Sequence, residues 1–546
     1  MRANLRERVP VFVLLLAVAC GGGKKDTDKP SMGTEGGDGD QAAGEADRLP
    51  EIPSSPAPIP DMVLATISIG DPQGQFAGLA AFADAVQPGF GAMMSPAQVL
   101  QGVAGSVGAP GIDGVDLTKP IHLVLLDPQK GGGQSLLVVG VADQNKMVGS
   151  VGGGAVLQLY DGFAAVGSGA AIQAASPYAL SNLARSTPPK NPHGVIYMNR
   201  IMAAYGPQLD ATLRQSMGQN PDAAEKKMAE HVVKALGSVE RIEADLEASG
   251  QLANATFSVF PTQGSPLATW TGLQKPSDYN VAARLPAGQW LMVAAGRLDW
   301  GPMQGFFAEI AAAQGKPDMA AWMNVFGQEV AVALLAKEDK TVRVAGVVSV
   351  TDAKKLGPLT LEYVKKMATE KPAVDKMEVS AKANAYKTGG ASLHAITLKP
   401  GASTPDEEKK AFEKVFGKAG MKSYFGVAGD WMVFSLDKDK GAKQMAAKLV
   451  ANTKAKTPKS ALGATFDKAL ADSKAKNESG VMVFDLSALA PEPKQAQGAE
   501  VTVGLGFEGP VMRTRLTVPP TTLRFFMQQR MGGGQGAPTS APPQPN

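Results

Sequence analysis

The residues whose types and spacing could do chemistry are a few serines, lysines and histidines and one cysteine. A lysine three positions after a serine can help draw off the hydroxyl proton and make the serine a nucleophile, and Ser435 with Lys438 and Ser473 with Lys476 have that spacing. Gly167-Ser168-Gly169 follows an apolar run but lacks the first glycine of the Gly-x-Ser-x-Gly turn that lifts a serine out of a strand. The phosphate-cradling pattern Gly-x-x-x-x-Gly-Lys-Ser/Thr does not occur. Four histidines, His122, His193, His231 and His394, lie far apart, and none stands at a metal-ligand spacing. A zinc site needs three or four convergent ligands, so neither a metal nor another cofactor is expected. Cys20 is the only cysteine, which rules out a disulfide within the chain.

Two of these groups resemble known families. Lys387-Thr388-Gly389-Gly390 resembles the Lys-Thr-Gly box of penicillin-recognising serine enzymes, and Tyr197-Met198-Asn199 resembles their middle motif. That family also needs the Ser-x-x-Lys pair upstream of both boxes. No such pair precedes Tyr197, and the two that exist follow the other boxes, so the expectation is that the chain is not an enzyme.

The second resemblance concerns the start of the chain. Arg2, Arg6 and Arg8 precede an apolar run from Val9 to Val18, and Ala19 stands before Cys20. This is the order of a signal peptide, and the run is shorter than the roughly twenty residues that span a bilayer. Ala17-Val18-Ala19-Cys20 is similar to the lipobox of bacterial lipoproteins, with alanine at position 17 where that family usually has leucine. The resemblance implies removal of residues 1–19 and acylation of Cys20. Several acyl chains together would tether the protein stably to a membrane. Gly21 resembles an outer-membrane sorting context, which implies an envelope address facing the periplasm or the cell surface.

Residues 20–60 carry Gly, Asp, Lys, Glu and Pro with almost no large apolar side chain before Ile52, and the sequence predicts a disordered tether there. The Gly- and Pro-rich residues 531–546 predict a disordered tail. A chain from Asp61 to Arg530 is expected to fold without either.

Between them the pattern is strand, turn, helix. Val63 to Ile69 reads as a strand, Asp71-Pro72 as a cap with proline at the first helical position, and Phe76, Leu79, Ala83 and Val86 as a helical stripe. Trp290 to Gly296, Asp299 and the stripe Met303, Phe306, Phe307, Ile310 repeat it. Three further anchors recur in the same order. The run Val138 to Met147, with Asp143 as a cap, matches Val347 to Leu356, with Asp352. Asp161-Gly162-Phe163 matches Gly429-Asp430-Trp431, and Gly194 to Asn199 matches Gly480 to Asp485. The fold predicted is α+β, made of two tandem duplicated units, 61–280 and 281–530, each of short antiparallel strands with helices on one face. A binding site is expected where they meet.

Charge separates the two units. Asp61 to Asn280 holds 12 basic and 17 acidic residues, net −5, and Val281 to Asn546 holds 35 and 25, net +10. From Lys354 to Lys476, a Lys-rich insertion, every basic residue is lysine. The lysines read first as solvated helix faces and second as a patch for an anionic headgroup, a glycan or an acidic protein, and without interleaved arginines and aromatics no nucleic-acid partner is expected. The 23 methionines read as filling for irregular cores. The function expected is a non-enzymatic, membrane-tethered lipoprotein with a binding or scaffold role and an envelope partner or ligand. The alternatives are a lipid or peptide carrier with an apolar cavity, or an enzyme of unrecognised type.

Overall fold

The computed structural model describes residues 49–130, 135–152, 154–216, 223–313, 321–322, 324–336, 342–370, 373–374, 377–456, 462–490 and 496–532. The leader, Cys20, the tether up to residue 48 and the tail from residue 533 lie outside these.

The strands are short apolar or alternating runs that end at turns or caps. They are β1 (Val63–Ile69), β2 (Ile121–Leu126), β3 (Ser135–Gly140), β4 (Val156–Tyr160), β5 (Phe163–Gly167), β6 (His193–Ile196), β7 (Val239–Ala248), β8 (Ala253–Pro261), β9 (Met292–Arg297) and β10 (Phe326–Ala336). After them come β11 (Val342–Val350), β12 (Ala373–Val374), β13 (Met377–Thr388), β14 (Ala391–Pro400), β15 (Met421–Ala428), β16 (Trp431–Asp437), β17 (Glu478–Asp485), β18 (Glu500–Glu508) and β19 (Val511–Val518). The helices are α1 (Pro72–Val86), α2 (Pro96–Ser106), α3 (Gln144–Ser150), α4 (Gly169–Tyr178), α5 (Met198–Ser216), α6 (Ala223–Gly237) and α7 (Pro266–Leu273). They continue with α8 (Gln304–Ala313), α9 (Ala353–Glu370), α10 (Asp406–Phe416), α11 (Asp439–Lys454), α12 (Ala464–Ala475) and α13 (Pro520–Gly532). None among the described residues is long and apolar enough to cross a membrane.

The chain is α+β, and its strands join in one sheet. The spatial order is β4-β5-β3-β2-β1-β6-β7-β8-β19-β18-β17-β9-β10-β11-β16-β15-β14-β13-β12, with every neighbouring pair antiparallel. The β8–β19 pair is the seam between residues before and after position 281. Counted outward from it, one side runs β8, β7, β6, β1, β2, β3, β5, β4. The other runs β19, β18, β17, β9, β10, β11, β16, β15, which is the same order, and β14, β13 and β12 then extend it. The Lys-rich segment contributes those three added strands.

The four anchors sit at corresponding points of this order. Asp71 caps α1 after β1, and Asp299 accepts from Gly301 N at 3.0 Å after β9. Asp143 accepts from Lys146 N at 3.1 Å after β3, and Asp352 from Lys355 N at 3.0 Å after β11. Those backbone hydrogen bonds are the leading cause holding both carboxyls below their usual range. Asp161-Gly162 turns β4 into β5, Gly429-Asp430 turns β15 into β16, and Gly194 and Gly480 lie on β6 and β17.

Helices cover both faces of the first side, where one covered face is expected from sequence. The reason is in β3, whose central residues are apolar at every position and buried throughout. Leu136 and Val138 pack with Ile172, Ala175 and Tyr178 of α4, while Leu137 and Val139 pack with Leu100 and Ala104 of α2 and Met147 of α3. On the far side Val293, Ala331, Ala345, Val347 and Val433 meet Met445, Ala446, Leu449 and Val450 of α11.

Residues 49–60, expected within the disordered tether, instead lie along the body. Ile52, Ala57 and Ile59 are half-buried against the α4 core. Polar side chains take the backbone of this strap: Gln158 Nε2 donates to Pro50 O at 2.6 Å, Arg185 to Ser54 O at 2.9 Å and Arg200 to Pro60 O at 2.6 Å. Ser181 Oγ accepts from Ala57 N at 2.9 Å. Two isoleucines and satisfied backbone groups offset the entropy of ordering this strap.

Candidate functional site

The residues singled out by sequence are dispersed, and most perform structural work. Ser435 is buried on β16, and its hydroxyl donates to Ala442 O at 2.8 Å. Ser473 is buried on α12, and Lys476 reaches back along that helix to Asp472 at 2.7 Å. Ser168 caps α4, accepting from Ala171 N at 3.2 Å. In Lys387-Thr388-Gly389-Gly390 the two glycines take φ of 50° and 75° and form the β13–β14 turn, a left-handed pair that suits glycine. Tyr197-Met198-Asn199 leads into α5, with Met198 buried against Val239 and Ile242.

The histidines occupy β2, β6, α6 and β14. His122 is buried, with Nδ1 2.8 Å from Ser68 Oγ and Nε2 without a hydrogen-bond partner among the described residues. Burial lowers its pKa to about 4, so the ring is neutral at pH 7. His193 Nδ1 lies 2.9 Å from Asp245, His231 lies 3.1 Å from Glu309, and His394 Nδ1 accepts from Asn384 N at 3.2 Å. Among the described residues no group of three or more His, Cys, Asp or Glu is placed to hold a metal.

The polar groups that do converge cross the seam on one sheet face. Strand register sets the row: His193 stands opposite Asp245 and Val195 opposite Glu243, which continue into Thr256 and Ser258, then Arg515 and Arg513, then Gly504 and Gly506. The alternate positions Ile242, Ala244, Leu246 on β7 and Met512, Thr514, Leu516 on β19 face the other way. Arg241 pairs with Glu243 at 2.8 Å and stacks on Phe260, its carbon 3.8 Å from the ring centre. Arg513 pairs with Glu508. Asp245 and Arg513 keep 43% and 47% of their side chains exposed, so both charge signs are presented to solvent in one row.

At the far end the row becomes buried. Arg515 grips Glu478 through Nε–Oε1 at 2.8 Å and Nη2–Oε2 at 2.9 Å, with side chains only 12% and 7% exposed, and Asp472 of α12 lies 3.3 Å from Nη2. Burial pulls the guanidinium down, but the bond from Glu478 outweighs it and raises the pKa. The Glu478 carboxylate lies across Gly504, where a methyl group would collide with it. Tyr279 Oη donates to Glu478 O at 2.9 Å, and burial, followed by the Glu478 charge, pushes the phenol up.

Beside this point Asp278, Tyr279, Asn280 and Ala283 face Asp467, Leu470, Ala471 and Lys474 of α12 across an open pocket of about 320 Å3. It adjoins the segment that joins the two sides. A second polar cluster surrounds Asp439 at the start of α11. Burial acts to raise this carboxyl, but bonds from Tyr424 Oη, Lys422 at 2.9 Å and Lys443 at 3.0 Å outweigh it and hold the pKa well below the usual range. These groups are tied to one another around a helix start, an arrangement suited to fixing α11 on β15.

Sequence motifs do not find the seam row, because its members come from β6, β7, β8, β18 and β19. The available signal is alternation: Val239-Glu240-Arg241-Ile242-Glu243-Ala244-Asp245-Leu246 and Met512-Arg513-Thr514-Arg515-Leu516 place charged and apolar residues on opposite faces.

No family model, no curated protein and no solved structure matches this chain.

Proposed function

We propose that the chain is a non-enzymatic bacterial envelope lipoprotein, acylated on Cys20 and tethered to the outer membrane, whose body serves as a binding or scaffold module. The observation that carries the reading is the seam row: a half-exposed strip of both charge signs fixed on a continuous sheet, whose ionisable groups are engaged with one another. A rigid, two-signed strip suits recognition of a polar partner, since electrostatic complementarity selects orientation and speeds encounter. We also read the two sides of the sheet as duplicated units, supported by their common strand order and the four anchors at matching positions. Duplication explains the seam, because two equivalent sheets pair through the last strand of each.

The test is recovery of partners from detergent-solubilised envelope by cross-linking the full chain, with the same experiment on Arg513→Glu and Asp245→Lys. A partner enriched by the natural chain and lost from both variants supports the reading. Identical recovery from all three chains excludes the seam row as the binding surface.

A further inference from the structure

We propose that β4 is an assembly edge that pairs antiparallel with β4 of a second copy, about a two-fold axis through Gln158. The inference goes beyond the reading above and rests on it only in taking residues 1–19, with the apolar run from Val9 to Val18, as removed.

The two ends of the sheet are built differently. On the second side the strand in the place of β4 is β15, and its outer edge is occupied: β14 pairs with it from His394–Phe425 to Leu398–Met421. Beyond that, β13 carries Glu378, Lys382 and Lys387 and is interrupted by a register shift between Lys382 and Tyr386, with Asn384 at φ 50°. Charges and irregularities of this kind keep an edge from pairing further. On the first side β4 pairs with β5 and, among the described residues, with no other strand. Its sequence, Val-Leu-Gln-Leu-Tyr, holds no charge, no proline and no irregularity.

Register makes this edge self-complementary. Asp161 and Gly162, at φ 51° and 75°, form a two-residue turn, so the flanking pair Tyr160–Phe163 is hydrogen-bonded and the pattern alternates from there. Val156, Gln158 and Tyr160 therefore direct their backbone groups toward β5, while Leu157 and Leu159 direct theirs outward. With the axis at Gln158, Leu157 of each copy meets Leu159 of the other, giving four backbone hydrogen bonds, and Val156 meets Tyr160. The half-buried Leu157 and Leu159, which join the α2 and α3 core, would extend it across the junction. Like charges never face each other in this register. The chain's own terminal segments are unsuited to the edge: residues 21–48 hold only Met32 as a large apolar residue and residues 533–546 hold none.

The experiment is sedimentation velocity of the full chain in detergent at micromolar concentration, with Leu157→Pro and Leu159→Lys alongside. Proline at 157 removes an outward N–H that β5 does not use, so the fold can tolerate it. The lysine leaves the backbone intact and covers the case in which the proline variant fails to fold. The natural chain is expected to sediment at twice the monomer mass, and each folded variant at the monomer mass. A monomer at every concentration, including one that pairs only with a foreign peptide, overturns the proposal. A dimer unaffected by either substitution does so too.

Discussion

Replacing Arg515 with methionine should be among the most damaging single changes at the seam. The substitution leaves the Glu478 carboxylate, 7% exposed, over Gly504 without the guanidinium that neutralises it. Breaking a buried pair by removing one partner costs about 3–5 kcal/mol, whereas an exposed pair is worth about 1 kcal/mol or less. The 12% exposure of Arg515 and the two-point grip place this pair with the first kind. A cycle of Arg515→Met, Glu478→Leu and the double variant, each unfolded in urea, separates the interaction from its surroundings. The double variant should recover about 2 kcal/mol or more over Arg515→Met alone, because two apolar side chains can replace a buried ion pair. Gly504→Ala should be costly in the natural chain and nearly neutral when Glu478 is alanine. A loss under about 1 kcal/mol for Arg515→Met, or strict additivity, would refute the burial argument.

Three further outcomes are expected. His122 titrates near 6.5 when unfolded and at about 4 when folded, so the unfolded chain binds more protons between those values. Stability should be whole above about pH 6.5 and fall as pH drops toward 4, by about 3 kcal/mol, and the fall should shrink in His122→Leu when denaturation is followed across that range; equal pH profiles would contradict this. A chain starting at Leu49 should melt with the full chain, whereas one starting at Asp61 should lose about 3 kcal/mol through removal of Ile52 and Ile59 and of the carbonyls held by Arg200; coincident melting curves would show the strap to be idle. Asp143→Ala and Asp352→Ala should lower the melting temperature by similar small amounts, since both side chains bond the third backbone N–H of a helix following a central strand. A large loss for one alone would argue against equivalent junctions.

Much of the local structure is legible in the sequence because its causes are local. Asp71-Pro72, Asp143 and Asp352 mark helix starts through their own hydrogen bonds, and Asp161-Gly162 and Gly429-Asp430 mark turns between apolar runs, whereas the Gly389-Gly390 turn is hidden behind a chance resemblance to an enzyme box. The fusion of both sides into one sheet is not legible, because β8 and β19 are some 250 residues apart and an edge carries no mark of its neighbour. The strap is missed for a related reason: residues 49–60 look like the tether upstream, and the arginines and glutamine that hold them come from distant elements. The seam row is half legible. Alternation in β7 and β19 separates a polar from an apolar face, but that Arg515 finds Glu478 across β18 depends on register alone.

The measurement that bears most directly on the account is metabolic incorporation of an alkyne-labelled fatty acid into the full chain and into Cys20→Ala, followed by membrane fractionation. A tethered envelope lipoprotein predicts label and outer-membrane recovery for the natural chain, and loss of both for the alanine variant. Equal labelling of the two, or an unlabelled natural chain recovered in the soluble fraction, would contradict it.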